Sequence, residues 1–440
     1  MKLHILSAIK KYAKSKPIRM HMPGHVGDKN FSKIFAGAKY DVTELPIVNN
    51  EQALSFAETD VKNILGAKFL RFLSGGATSG ILSMILAVKD FGDKMIIFRG
   101  AHKSVYSGLE LFGIEPIIIP DFDGDDDKLI SSIQSLQNLD GVIGALLTYP
   151  DYYGRVFPIK RVSELLKVKD KLLLVDNAHG GHFKYVDGCV YAGDYADAWV
   201  DGLHKNFCTL NQGAILASNN LSIIENLDDA TKKLLTTSPS YPLLASIEYG
   251  EKYMQSIAET KLRSLVKDLN LLRTKIENLG LAVLKNDDPL KICVDFSSIN
   301  VSPLDANSVL EKDGIFAEMV DEKTVLFMVS VLTKKSWLKK LYSSIEKVVK
   351  YCPRESGWQG KIQVSTERVV DYLSAKKLPF EWVDLSASVG RICVENAGLF
   401  PPCKPMILAG EKITADVIKV LSQSSVFGVK DGKIKVAKGK

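Results

Sequence analysis

A lysine and an acid, each at the end of a short apolar stretch, have the most chemistry to offer. Lys205 closes the run Ala198-Trp199-Val200-Asp201-Gly202-Leu203-His204-Lys205, in which 198–200 read as a buried strand followed by a sharp turn. Earlier in the chain, Leu172-Leu173-Leu174-Val175 reads as a second strand and ends in Asp176-Asn177-Ala178-His179-Gly180-Gly181-His182. A lysine amine condenses with an aldehyde, and a carboxylate keeps a ring nitrogen protonated. These are the two groups that pyridoxal 5'-phosphate needs, one for the Schiff base and one to make the pyridine ring an electron acceptor. A lone surface lysine after a strand carries no such meaning, so the other stretches must converge on the same site.

They do so through the elements that carry them. Residues 69–73 form an apolar edge before Ser74-Gly75-Gly76-Ala77-Thr78-Ser79-Gly80, and Ile81, Leu82, Ile85, Leu86 and Val88 follow at helical spacing. A small-residue loop opening a helix points several N–H groups and the helix dipole at one place, where an anion can sit. Residues 95–98 read as a strand ending in Arg99-Gly100-Ala101-His102-Lys103-Ser104, with a helix over 105–112. Further strands fall at 116–119, 142–148 and 214–217, with a helix around 162–166. Apolar strands separated by helices predict an α/β fold with a mostly parallel sheet covered on both faces. Ligands of such sheets lie beyond the carboxyl ends of the strands, which brings Thr78, His102, Asp176 and Lys205 together.

The 440 residues are enough for a large core and several subdomains. The pattern predicts an N-terminal segment over 1–58, a large domain over 59–255, and a linker helix with a smaller α+β domain over 256–440. Leu262, Leu265, Leu269, Leu272, Ile276 and Leu279 mark that helix, which Gly280 stops. A hairpin is expected around Asp321-Glu322-Lys323 and another at Asp431-Gly432. No apolar run is long enough to cross a bilayer, and the basic N-terminus has helical spacing instead of a signal-peptide core. The six cysteines have no metal-type spacing and are expected to be reduced thiols of a cytoplasmic protein. A net charge of +6, without an arginine-rich block, argues against nucleic acid as a partner.

With His21-Met22-Pro23-Gly24-His25, the Arg99 to Val105 motif, the Asp176 to His182 motif, His204-Lys205 and Thr237-Ser238-Pro239-Ser240-Tyr241 in hand, the chain resembles the Orn/Lys/Arg decarboxylase family of fold-type-I pyridoxal phosphate enzymes, in its short bacterial form. The resemblance runs from about His21 to Glu411. It implies an aminotransferase-like large domain, a smaller C-terminal domain and a homodimer with shared active sites. It also implies residue roles. Lys205 would form the Schiff base, and His204 would contact cofactor phosphate or substrate. Asp176 would pair with the pyridinium nitrogen, and His102 would stack on the ring. Gly76, Ala77 and Thr78 would cradle the phosphate, Ala178 and His179 would line the ring, and Ser238 and Ser240 would reach the partner's phosphate. The implied reaction decarboxylates arginine, lysine or ornithine to a polyamine or its precursor. The far end of the substrate needs an anion, for which Glu44, Asp151 and Glu395 are candidates.

The chain departs from the family pattern at several points. Serine is expected where Gly202 stands, and the lost hydroxyl would cost about 1–2 kcal/mol of cofactor affinity. Val26 follows the HMPGH motif where lysine is usual, and Cys403-Lys404 interrupts the late YPPGIP-type motif. The alternatives are another fold-type-I reaction, namely transamination or another lyase chemistry, and a degenerate homologue without catalysis. His179 and His182 lack a third ligand for a metal. The 121–127 acidic stretch has its glycine in the wrong place for a calcium loop and reads as a solvated turn.

Overall fold

The computed structural model describes the chain apart from residues 16–18, 20–21, 24, 26–27, 44–48, 137, 353–363, 400–403, 423–425 and 440. His21, Val26, Glu44 and Cys403, each singled out above, lie outside the described residues.

Seven strands build the main sheet: β1 (Phe69–Leu73), β2 (Lys94–Phe98), β3 (Glu115–Ile119), β4 (Val142–Thr148), β5 (Leu172–Asn177), β6 (Ala198–Asp201) and β7 (Ala214–Ser218). Their order is β1-β7-β6-β5-β4-β2-β3. The ladders from β3 through β6 are parallel, while β7 runs antiparallel to both β6 and β1. The mostly parallel sheet expected from the sequence is therefore present.

Burial on both faces explains why these strands are nearly continuous apolar runs. Side chains alternate across the sheet. Leu146, Leu174 and Val200 pack into one buried cluster with Ile81, Met84 and Val105. Leu147, Val175 and Trp199 pack into another on the opposite face, with Leu166, Tyr241 and Ile247. Each such side chain contributes about 1.5–3 kcal/mol when fully buried.

The helix preceding β1 runs from Asn50 to Leu65 and ends on Gly66 in the left-handed conformation. The N-terminal helix His4–Lys14 docks on the helix Tyr241–Ile257, where Glu248 accepts from the N–H groups of His4 (2.7 Å) and Ile5 (3.1 Å). The expected long helix is entered through a π-helical turn, Ala258–Leu262, before Arg263–Glu277.

Beyond it, β8 (Ala282–Val283), β9 (Lys291–Asp295), β10 (Met319–Val320) and β11 (Thr324–Met328) form an antiparallel sheet in the order β10-β11-β9-β8. The hairpin predicted at Asp321 joins β10 to β11, with the Asp321 carboxylate accepting from Lys323 N–H (2.8 Å) and Thr324 N–H (2.7 Å). Two three-stranded sheets follow, with a small core around Leu385, Ile407, Ile413 and Val436. They dock on the main sheet through Arg99, which donates to Glu411 at 2.5 and 2.7 Å and to the carbonyl of Met406 at 3.2 Å. Arg99 thus joins domains, while His102, three residues on, faces the site. Among the described residues no helix is long and apolar enough to cross a membrane.

Candidate active site

The register places the chemistry. Thr148 of β4 pairs with Asp176 of β5, which pairs with Val200 of β6, so the three carboxyl ends are level. Each strand releases its functional group just past this line. β5 ends in Asp176 and turns through Ala178 to His179, and β6 leads through Gly202 into a single 3-10 turn, Leu203–Lys205. The Lys205 Nζ lies 2.7 Å from His179 Nε2. Asp176 is buried, and its Oδ1 accepts from the Ala178 N–H at 3.2 Å.

Burial holds His179 neutral, well below the ordinary imidazole range, and Lys205 and Lys291 push in the same direction. A neutral imidazole accepting from Lys205 at Nε2 carries its proton on Nδ1. His102 caps the helix Lys103–Phe112: its Nδ1 accepts from the Ser104 N–H (3.2 Å) and faces the Ser104 hydroxyl (2.8 Å). Burial lowers its proton affinity, Asp176 works against that, and Lys205 adds to it. His102 is thus a neutral ring in electrostatic contact with both the acid and the amine. His204 is half-buried, with its Nδ1 3.1 Å from the carbonyl of Gly213, and burial again lowers its pKa.

The helix Gly76–Val88 opens at Gly75 without a side-chain cap, and Gly76 N–H is taken by the Gln212 carbonyl at 2.9 Å. The next N–H groups, those of Ala77 and Thr78, belong to the first turn, where no helical acceptor exists. Around the strand ends, His179 Nδ1, Thr148 Oγ1 and Asn206 Nδ2 are buried polar atoms without a hydrogen-bond partner among the described residues. Natural structures rarely leave such atoms unsatisfied. An uncapped helix N-terminus, stranded polar atoms, a reactive amine and a buried acid fit a bound ring carrying a phosphate. With the Gly76 N–H already given to Gln212, the residues that would hold it are Ala77 and Thr78 at the phosphate, Asp176 at the ring nitrogen, His102 and Ala178 beside the ring, and Lys205 at the aldehyde. Ser238 and Ser240 are exposed at the start of the helix Tyr241–Ile257.

Gly202 has a different explanation from a lost ligand. A Cβ there would stand 2.6 Å from the Ala178 carbonyl oxygen. The turns after β5 and β6 touch at this point, and only glycine leaves them room.

Three residues escaped the sequence reading. The loop after β4 places the Tyr152 ring edge-on to His179, with centroids 4.9 Å apart. The Tyr152 hydroxyl donates to Glu318 Oε1 at 2.6 Å. Glu318 is exposed next to β10 and acts electrostatically on His204 and Lys291. Lys291, the first residue of β9, is fully buried. Its only signal in the sequence is a lysine directly abutting the apolar run Ile292-Cys293-Val294, and that of Glu318 is one acid among Ile315, Phe316, Ala317 and Met319. Of the anions that the sequence offered, Asp151 is paired with Arg155 (2.7 Å) and Glu395 with Lys435 (2.6 Å). His182 pairs with Asp288 at 2.7 Å, both fully buried.

The sheet has the fold of the fold-type-I pyridoxal phosphate enzymes. A sequence profile of the Orn/Lys/Arg decarboxylase major domain matches residues 4–288, more than half of the chain. The chain belongs to the Orn/Lys/Arg decarboxylase family, whose cofactor is pyridoxal 5'-phosphate. It is 28% identical to the uncharacterized protein YaaO of Bacillus subtilis, over 96% of this chain and 94% of that protein. It is 24% identical to an arginine decarboxylase of Bacillus anthracis, over 97% and 93%. Among solved structures, the constitutive lysine decarboxylase of E. coli superposes with a TM-score of 0.81 at 17% identity, covering 99% of this chain and 82% of that one. The serine palmitoyltransferase of Sphingomonas wittichii shares the fold at a TM-score of 0.60 and 16% identity, over 80% and 86%.

Proposed function

We propose that this protein removes the α-carboxylate of a basic amino acid, arginine, lysine or ornithine, releasing carbon dioxide and a polyamine or its precursor. The observation that carries this reading is Glu318: an exposed carboxylate, held by Tyr152, whose ring packs on the His179 that contacts Lys205. An acid linked to the reactive amine through two side chains, Tyr152 and His179, suits the distal ammonium or guanidinium of such a substrate.

Pyridoxal phosphate supplies the electron sink for the pair left behind when carbon dioxide departs. The chain's own residues do the rest. Lys205 would hold the cofactor covalently through its side-chain amine, which is freed while substrate occupies the site and re-engaged as product leaves. His179, kept neutral by burial, orients that amine as an acceptor without competing for charge. Asp176, buried at the end of β5, would keep the ring nitrogen protonated. His102 offers a neutral ring face, and the first turn of the helix at Gly76, with His204, receives the phosphate. The enzyme is read as a cytoplasmic homodimer in which Ser238 and Ser240 complete the neighbouring site.

The test is a visible absorbance spectrum of the purified protein with pyridoxal phosphate, followed by carbon dioxide release from arginine, lysine and ornithine. A cofactor band that is absent from Lys205→Ala, with carbon dioxide released, is the expected result. Amino transfer to an oxo acid without carbon dioxide would make the protein an aminotransferase. Failure to bind the cofactor would make it a non-catalytic homologue.

A further inference from the structure

We infer that Lys291, on the second sheet, is a positioning residue for the far end of the substrate: it fixes the loop that carries Tyr152, and through Tyr152 it sets where the Glu318 carboxylate stands. The inference rests on the reading of Glu318 given above. Its geometry is a chain of contacts. Lys291 Nζ donates to the carbonyls of Asp151 (3.2 Å) and Tyr152 (2.9 Å), and lies 5.9 Å from the centroid of the Tyr152 ring. The same tyrosine touches His179 with its ring and Glu318 with its hydroxyl. Lys291 therefore holds the main chain of a residue that, together with His179, bridges the reactive amine and the distal carboxylate.

The surroundings hold Lys291 equally firmly. Its stem is fully buried, Asp288 Oδ2 lies 3.9 Å from its Nζ, and Arg273 donates to its carbonyl at 2.6 Å. Asp288 is in turn fixed by His182 at 2.7 Å and by Leu290 N–H at 2.9 Å. The neighbouring residues clamp the rest of the loop. Asn286 donates to the Tyr153 carbonyl (2.9 Å), and the N–H groups of Asp287 and Asp288 both meet the Gly154 carbonyl at 2.9 Å. Val156 N–H closes on the Asp287 carboxylate at 3.0 Å.

A buried ammonium that gives two hydrogen bonds to main-chain carbonyls fixes atoms which no side-chain substitution in the loop could reach. Burial lowers its proton affinity to about 8, with Asp288 and Asp151 opposing the fall, so it remains charged at neutral pH. The consequence falls on recognition instead of bond breaking. A misplacement of about 1 Å at a positioned group costs up to about 100-fold in rate, and Glu318 is tied to this loop by the Tyr152 hydroxyl.

The experiment compares the holoenzyme with Lys291→Met, Tyr152→Phe and Glu318→Gln. For each, KM and kcat are measured for lysine, ornithine and arginine, and also for norleucine, which lacks the distal cation. Backbone hydrogen exchange is followed over 151–156. Lys291→Met is expected to raise KM for the basic substrates about tenfold or more, to leave norleucine within about twofold, and to expose the 151–156 amides. Tyr152→Phe, which removes one hydroxyl and no core packing, is expected to show the same substrate split without the exchange change. An equal loss for basic and neutral substrates would reduce Lys291 to a structural residue and overturn the inference. So would unchanged exchange at 151–156. If none of the basic amino acids is turned over, the functional reading fails on its own, and the exchange arm still decides whether Lys291 holds the loop. Should Lys291→Met not fold, Tyr152→Phe decides: no substrate split there also overturns the inference.

Discussion

Lys205 and Lys291 lie within electrostatic reach of each other, yet they are held differently. Lys205 is half-buried, at the end of a 3-10 turn, with its amine against a neutral imidazole. Lys291 is fully buried, gives hydrogen bonds to two main-chain carbonyls and has a carboxylate at 3.9 Å. A neutral acceptor orients an amine and can release it. A cage of carbonyls and a buried acid keeps an ammonium where it is, because no solvent replaces those partners. The reacting lysine is thus held by a partner it can leave, and the bracing lysine by partners it cannot.

Exchanging what each lysine loses tests that division, beginning with the largest effect. Lys205→Ala is expected to lower decarboxylation by about 10⁴-fold or more, with the melting temperature little changed. Asp288→Ala is expected to act first on stability. It leaves Lys291 and His182 buried without their acid, which costs about 3–5 kcal/mol of stability. Burial works against the charge of Asp288, but His182 and Lys291 outweigh it and keep its carboxyl below the usual range. Chemical denaturation measures the loss. A stability unchanged in Asp288→Ala would mean that the brace is not electrostatic.

The two lysines also differ in how far the sequence disclosed them. Lys205, Asp176 and His102 each lie at or just past a strand end and stand in a motif. Strand-end chemistry is legible because the period of the strands and the order of the motifs already fix which loops meet. Lys291 and Glu318 reach the site from β9 and from the edge of β10, over 80 residues beyond Lys205. Their approach depends on how the second sheet docks, and no local pattern encodes that docking. Asp151 shows the same limit from the other side: the right residue type in the right loop, with its carboxylate already given to Arg155. Gly202 shows it at the scale of one atom. Read along the chain, it is a missing serine; in the fold, it is the contact point of two turns.

Gly202→Ser sharpens this point with a smaller effect. If the glycine were a lost ligand, serine would strengthen cofactor binding by about 1–2 kcal/mol. A Cβ at 2.6 Å from the Ala178 carbonyl predicts the opposite. Parting the turns after β5 and β6 costs about 1–3 kcal/mol, and it moves His179 away from Lys205. Titration with pyridoxal phosphate and thermal unfolding should both show a loss. Tighter cofactor binding in the serine variant would restore the reading from the sequence alone.

The acids at the two strand ends repeat the contrast with the smallest effect. Asp176 faces the site, whereas its counterpart on β6, Asp201, turns into the core. There it accepts from the Tyr191 hydroxyl at 2.7 Å and from Asn177, and Trp199 in turn donates to Tyr191 at 2.7 Å. Burial dominates these hydrogen bonds and raises the Asp201 carboxyl from 3.8 to about 7. Nearby Glu251, held by Tyr185 at 2.5 Å, rises from 4.5 to about 8, with burial first and Asp201 adding to it. Between the ordinary and the raised value, such a group binds more protons folded than unfolded, so stability falls as pH rises through that window. Each group contributes at most about 1.4 kcal/mol per pH unit. The melting temperature is therefore expected to decline from pH 5 to 8, and Asp201→Asn to flatten that decline. The substituted amide retains an acceptor for Tyr191, and its new N–H₂ can serve the Asn177 Oδ1, which is buried without a partner. A slope identical in the variant and the parent would place the titrating acid elsewhere and leave Asp201 ionised in the core.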